Sequence, residues 1–306
     1  MYKGKKLAVI VPALNEENLI LKTLSGVPDF VDKIIVIDDF STDKTVDKVK
    51  EQAKKDKRIQ LIQHKKTRGV GGAITSGFKL ALQDEEIELL SVMAGDDQMR
   101  PKHLPDLLNP IVEGKTEFTK GNRLKVGYRK DMSKFRLLGN LILSLITKKV
   151  SGYWAINDPQ NGYIGIKADF LRRMDLDSFY EGYAFENDFM IKANLANVKM
   201  MNVMIPAYYG EEQSKLKYGQ FIIRTSWHLF TSYYWRLWHK YIKTFHIVGI
   251  LTIVGFLALV SGLIVGGILA FSHISLIIVP SVGLAFMLIA FLIDIIKGRG
   301  LSKSMK

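Results

Sequence analysis

Four short apolar runs mark the first hundred residues: Leu7–Val11, Ile34–Ile37, Ile59–Ile62 and Leu89–Met93. Each has strand length and is apolar nearly throughout, as strands covered on both faces are. Mixed stretches at 16–26, 43–56 and 70–83 separate them and suit helices. Strand and helix in alternation predict β-α-β units around a mostly parallel sheet, an α/β fold. No repeat or low-complexity linker breaks the region, so residues 1–212 read as one domain.

The other end follows a different pattern. From Thr244 to Ile293 there is no Asp, Glu, Lys or Arg. As one helix, that run of about fifty residues would extend roughly 75 Å, against a hydrocarbon core of about 30 Å. Two crossings absorb it. A break at Ser272-His273 predicts helices near 247–271 and 274–293, a transmembrane hairpin within residues 245–306 that ends in a basic tail. Pro280 falls inside the second helix, where a mild kink is tolerated. Lys240 and Lys243 precede the hairpin, and Lys297, Arg299, Lys303 and Lys306 follow it. The positive-inside rule then places both ends, and the 1–212 domain, on the cytoplasmic side of a cell membrane. The five apolar residues before Pro12 are too few for a signal peptide. Removing residues 245–306 is expected to leave the catalytic fold intact.

Residues 213–246 hold six lysines and arginines, no acid and ten aromatic rings, including Trp227, Trp235 and Trp238. Rings prefer the headgroup zone and cations meet anionic lipid, so 213–244 reads as amphipathic helices in the membrane interface. Basic plus aromatic also suits single-stranded nucleic acid. Abutment to the hairpin favours the bilayer, and no nucleic acid is expected as a partner. The hairpin also offers a surface through which copies of the chain could pair. Forty-three basic against thirty acidic residues give a formal net charge of +13, and there is no cysteine. Thiolate nucleophiles, zinc-thiolate sites and redox couples are thereby excluded. The six histidines show no metal-ligand spacing.

In open α/β sheets ligands bind beyond the carboxyl ends of the strands. There the first strand delivers Pro12-Ala13-Leu14-Asn15-Glu16, the second Asp38-Asp39-Phe40-Ser41-Thr42-Asp43, the fourth Ala94-Gly95-Asp96-Asp97-Gln98. Ser41 and Asp43 also suit a helix cap, and Asp38-Asp39 a turn. Carboxylates converging on one edge repel unless a cation joins them. Such oxygen ligands suit Mg²⁺ or Mn²⁺ shared with substrate phosphates. The glycines of Arg68–Ala73 match neither the P-loop nor the dinucleotide fingerprint and suit close helix–sheet packing.

These residues resemble the family 2 inverting glycosyltransferases of the GT-A fold, and among them the polyprenyl-phosphate sugar synthases. The motifs are V-I-V-P-A-L-N-E-E-N at 9–18, V-I-D-D-F-S-T-D-K-T at 36–45, R-G-V-G-G-A at 68–73 and M-A-G-D-D-Q-M-R-P at 93–101. They continue with K-G-N-R at 120–123, D-P-Q-N-G-Y at 158–163 and F-E-N-D at 185–188. The resemblance implies a nucleotide-sugar donor (GDP- or UDP-sugar) and a polyprenyl or dolichyl phosphate acceptor. It implies that Pro12, Leu14 and Glu16 line the nucleotide pocket and that Asp38 accepts from the base. Asp39 and Asp97 fall on the donor side, and Arg123 near the donor phosphates. Asp96 and Gln98 match the metal end of the family's D-x-D-x-Q motif, whose first Asp is Ala94 here. Arg129, Arg136 and Lys215 fall where cations hold the acceptor phosphate.

Inverting transfer needs in-line attack as the nucleoside diphosphate departs, with the leaving charge neutralised. A hydroxyl acceptor needs a base, for which Asp158, Glu186 and Asp188 stand as candidates. A phosphate monoester, largely dianionic at neutral pH, needs cations instead. Asp96, Asp158 and Arg136 are thus the catalytic candidates. Glu186 and Asp188 equally suit a helix N-terminus. Two alternatives stay open: a transferase with a lipid or glycan hydroxyl acceptor, and an inactive membrane-anchored nucleotide-binding protein.

Overall fold

The computed structural model describes residues 1–124, 127–128, 134–208, 218–269 and 273–304. The predicted alternation is present. Strand β1 (Lys6–Ala13) leads to helix α1 (Ile20–Ser25), β2 (Lys33–Asp38), α2 (Thr45–Lys55), β3 (Ile59–Gln63), α3 (Val70–Ala81) and β4 (Ile87–Val92). Helix α1 begins four residues later than expected, because the Glu16 carbonyl closes a turn by accepting from Leu19 and Ile20 N–H. After β4 come α4 (Leu104–Val112), β5 (Phe118–Asn122), α5 (Lys134–Ser151), β6 (Ile164–Lys167), α6 (Ala168–Arg172), α7 (Phe185–Leu195) and β7 (Met200–Met204).

The sheet runs β3-β2-β1-β4-β6-β5-β7 and ends on an eighth strand. All pairs are parallel except those of β6, which runs against β4 and β5. Pleating sorts β1 between two cores. Leu7, Val9 and Val11 meet α1 and α4 through Ile20, Leu24 and Leu107. Ala8 and Ile10 meet α3 and α7 through Ile74, Phe78 and Phe189. The glycines of α3 do what their packing reading requires: a Cβ on Gly77 would collide with Ile10, and one on Gly71 with the Tyr180 carbonyl.

Helix α8 (Tyr218–Leu237) continues through a wider turn, Trp238–Ile242, towards α9 (Ile247–Leu269) and α10 (His273–Leu301). Two stretches, Ile247–Ile264 and Ile278–Leu301, are long and apolar enough to cross a membrane. They pack antiparallel at small residues, with Gly255 against Gly283 and Gly262 against Pro280. Helix α10 runs beyond the expected end near 293, through Asp294 and Lys297, and leads into β8 (Ser302–Ser304). Strand β8 pairs in parallel with β7, matching Met200 to Ser302 and Asn202 to Ser304. The segment expected to be a basic tail is therefore the edge of the catalytic sheet.

The joint between domain and hairpin is polar as well. Arg236 of α8, fully buried, donates to both oxygens of Asp294 at 3.1 and 2.6 Å and to Asn194 Oδ1 at 3.3 Å. Tyr241 donates to the same carboxylate, and Lys240 donates to the Asn194 carbonyl at 2.9 Å. Nearby, Gly298 leaves no room for a side chain against the Gly152 carbonyl, Trp154 meets Phe291 edge-on, and Ala155 N–H donates to Ser302 Oγ at 3.0 Å.

Candidate active site

Strand β1 is the hub of the site. Its Ala13 carbonyl accepts from Asp39 N–H at 2.9 Å, and its Pro12 carbonyl from Gly95 N–H at 3.0 Å. The acid-bearing loops after β1, β2 and β4 therefore meet at one sheet edge. Cross-stitching holds them: Asn15 N–H donates to Ser41 Oγ, Thr42 N–H to Asn15 Oδ1 and Glu16 N–H to Thr45 Oγ1, each at 2.8 Å. Asp43 accepts from Thr45 N–H at 2.9 Å, the capping role its position suggested. Pro12 is buried in this edge, Glu16 half-buried, and Leu14 exposed at its rim.

Adjacent acids take different directions. Asp38 is buried, and its Oδ2 accepts from Ser41 N–H at 3.2 Å, while its Oδ1 has no partner among the described residues. A buried acceptor left so costs about 1–3 kcal/mol, which a ligand N–H would recover. Asp39 is engaged within the protein, accepting from Arg68 N–H at 2.8 Å, Gly69 N–H at 2.7 Å and His64 Nδ1 at 2.7 Å. Gly69, at φ +88°, supplies the bend this requires. Between Ser41 and these acids stands Phe40, half exposed at φ +72°. A bulky residue held there costs on the order of 1–3 kcal/mol, the kind of strain that collects at functional loops.

The loop after β4 separates its acids too. Asp97, at φ +58°, turns inward to Lys22 at 2.9 Å and Arg100 at 3.1 Å. Arg100 in turn lies 3.7 Å above the Tyr208 ring. Asp97 is thus a brace for the loop and does not take the place of the Asp missing at Ala94. Asp96 and Gln98 instead line a cleft of about 340 Å³ with Met99, Arg123, Asn161, Tyr163, Ile205, Pro206 and Tyr208. Gln98 N–H donates to Asp96 Oδ1 at 3.1 Å.

Beneath the cleft lie two cations and two acids. Arg123, at the end of β5, grips the fully buried Asp158 through Nε at 2.8 Å, Nη2 at 3.1 Å and its own N–H at 3.0 Å. Both oxygens of Asp158 are spent on holding that guanidinium. Lys120, fully buried on β5, donates to the Asn161 carbonyl at 2.6 Å. Burial pushes its ammonium down to about 8, against the pull of Glu186 and Asp158. Burial also raises the Glu186 carboxyl, despite Lys120 nearby. Both Glu186 and Asp188 stand in the first turn of α7. Burial alone would raise Asp188, but His228 and Lys192, the latter at 2.6 Å, hold it below the usual range. Asp188 therefore ties α7 to α8.

Among the described residues no group of three or more His, Asp or Glu side chains could hold a metal ion. One carboxylate, Asp96, with the Gln98 amide beside it, suits an ion completed by diphosphate oxygens and water, as Mg²⁺ and Mn²⁺ sites commonly are. Arg129 and Lys215 lie outside the described residues, as does the side chain of Arg136 in α5. Sequence reasoning passed over Lys120, Arg100, His64 and Phe40. A lysine inside an apolar strand was the one legible signal.

The family model described as glycosyl transferase family 2 matches residues 8–174, over half of the chain. A UDP-N-acetylglucosamine–dolichyl-phosphate N-acetylglucosaminyltransferase of Methanococcus voltae is 27% identical, covering 68% of this chain and 87% of its own. A dolichol-phosphate mannosyltransferase of Pyrococcus furiosus is 27% identical, covering 80% and 68%. Among solved structures, glucosyl-3-phosphoglycerate synthase of Mycobacterium tuberculosis, in complex with Mn²⁺, UDP and glucosyl-3-phosphoglycerate, has a TM-score of 0.53. It is 18% identical and covers 76% of this chain and 80% of that one, a likeness of fold. With three acid-bearing strand ends gathered on the edge of a GT-A sheet, the chain belongs to the family 2 glycosyltransferases.

Proposed function

We propose that this glycosyltransferase moves a sugar from a GDP- or UDP-sugar to a polyprenyl phosphate on the cytoplasmic leaflet of a cell membrane. The observation that carries the reading is the fastening of the cleft to the hairpin through β8 and the Arg236–Asp294 pair. A site held at fixed height by a membrane-crossing element suits an acceptor whose phosphate sits at the bilayer surface. Two relatives are named for dolichyl or dolichol phosphate, and the solved neighbour held UDP and Mn²⁺.

In this reading Asp38 Oδ1 accepts from the base in a pocket edged by Pro12, Leu14 and Glu16. Asp39 and Asp97 keep the surrounding loops in shape. Asp96 and Gln98 hold Mg²⁺ or Mn²⁺, whose charge offsets that of the departing diphosphate. Arg123, aimed by Asp158, faces the donor phosphates, and Lys120 fixes the Asn161 turn beside them. Arg129, Arg136 and Lys215 hold the acceptor phosphate, whose second ionisation near pH 6 makes it a nucleophile without a base.

The test is transfer of radiolabel from a panel of nucleotide sugars into organic-extractable lipid, with the purified full chain, polyprenyl phosphate and either metal. Label in a charged, mild-acid-labile lipid is the expected result. Label only in a neutral, acid-stable lipid would replace the phosphate acceptor with a hydroxyl. Metal-dependent nucleotide binding without any transfer would point to an inactive binding protein.

A further inference from the structure

Two helices of this protein are built inside out. In α5 the inward face carries Ser144, Thr147 and Ser151, all nearly inaccessible, and Thr147 accepts from Asn187 Nδ2 at 2.7 Å. Its outward face carries Leu138, Leu141, Ile142, Leu145 and Ile146, each at least 41% exposed, and Leu145 reaches 65%. The spacing is that of an apolar helical stripe, turned away from the protein. Helix α8 repeats the inversion, with Thr225, Ser232 and Arg236 buried and Ile223, Trp227, Phe230, Tyr234 and Trp238 exposed. The two pack together through Val150 and Leu229, beside Ile191 of α7.

We infer that α5 lies with α8 in the headgroup zone of the bilayer, so that the membrane covers part of the catalytic domain itself. Water is a poor solvent for such a stripe, and contiguous exposed apolar surface of this extent marks an interaction site. Continuity selects the occupant: α8 leads through Trp238–Ile242 directly into α9, which has membrane-crossing length, and α5 is packed on α8. Lysines stand at both ends of α5, Lys134 at its start and Lys148 and Lys149 near its close, as in helices that lie in an anionic interface. A second copy of the chain would use the same stripe but has no such attachment.

The docking bears on the site through the chain. Arg123 precedes α5 and Asp158 follows it, so the partners of the buried clamp flank the docked helix. Seating α5 in lipid fixes both segments, and the bilayer becomes part of what holds Arg123 in place. This second statement rests on the site reading given above, while the docking does not.

Because the chain has no cysteine, single labels report position cleanly. Full-length Leu145→Cys, carrying an environment-sensitive fluorophore, is placed in vesicles of phosphatidylcholine and phosphatidylglycerol. Lys54→Cys on α2 serves as the aqueous control and Val282→Cys on α10 as the buried one. Strong quenching by shallow brominated lipid, with iodide quenching at least about threefold weaker than at position 54, is expected. Iodide quenching equal to that at position 54 overturns the docking. Protection from iodide without lipid quenching assigns the stripe to a second copy. Leu141→Glu with Leu145→Glu should then lower turnover on long-chain acceptor about tenfold while nucleotide binding holds. Unchanged turnover overturns the link to Arg123, and failure of the wild type to transfer sugar leaves the fluorescence result decisive for the docking.

Discussion

Strand β1 and helix α5 bury opposite things. Every residue from Leu7 to Ala13 is buried, and nearly all are apolar, whereas α5 hides Ser144 and Thr147 and shows Leu138 and Leu145. Nothing in side-chain chemistry differs between the two. What differs is the medium on the far side of each element: water around the nucleotide half, lipid along the α5–α8 face. Apolar periodicity alone says that a face avoids water, and only its relation to the core says what replaces the water.

The comparison makes the nucleotide half the place of chemistry and the membrane half the place of attachment. The largest effect should fall on activity alone. Asp96→Ala is expected to lower kcat/KM by more than about a hundredfold with no comparable loss of stability. Retention of most turnover in steady-state assays would remove Asp96 from the chemistry. At the joint the reverse is expected. Arg236→Met leaves Asp294 buried without its partner and should cost about 3–5 kcal/mol in denaturant unfolding, most of it recovered when Asp294→Leu is added. A double variant no better than the single would show that the pair is not what joins the halves.

Within the cleft, Asp158→Asn should keep the fold but release Arg123, lowering kcat/KM for the donor about tenfold or more. If donor use is unchanged and only acceptor use falls, Asp158 acts elsewhere than through that guanidinium. A smaller effect follows from Lys120, whose folded value of about 8 lies below its ordinary 10.5. Between those values the unfolded chain binds the extra proton, so this group makes stability rise as pH climbs from about 8 to 10.5. Lys240 at the joint, pushed by burial to about 8, adds the same sign. Unfolding midpoints measured across that window should flatten partly in Lys120→Met and further when Lys240→Met is added. Smallest of all, Ser302→Ala removes the bond to Ala155 N–H and should cost about 1 kcal/mol.

The parallel half was legible because its strands are continuous apolar runs with polar loops at one end, and β1 to β4 lie within two residues of where those runs place them. Strand β6 was not, since four residues paired antiparallel leave no pattern of their own. Strand β8 was hidden for a plainer reason: Ser-Lys-Ser joins an edge through its backbone, and no side chain announces it. At the site the convergence of three loops could be read, but not the division of labour inside each. Asp38 and Asp39 are neighbours with opposite duties, as are Asp96 and Asp97, and the choice turns on local backbone at Phe40 and Asp97 in the left-handed region. For α5 the stripe was visible as a helix period, yet core and bilayer ask for the same residues.

Strand β8 also has a bearing on how the protein is made. It follows α10 by no more than a turn and lies against β7, so the chain leaves the hairpin on the side where it entered. A hairpin stranded with one helix uncrossed would carry Ser302–Ser304 away from the sheet and take Asp294 from Arg236. The catalytic domain therefore gains its last strand and its deepest ion pair only when insertion has ended correctly, and its folding serves as a readout of membrane topology.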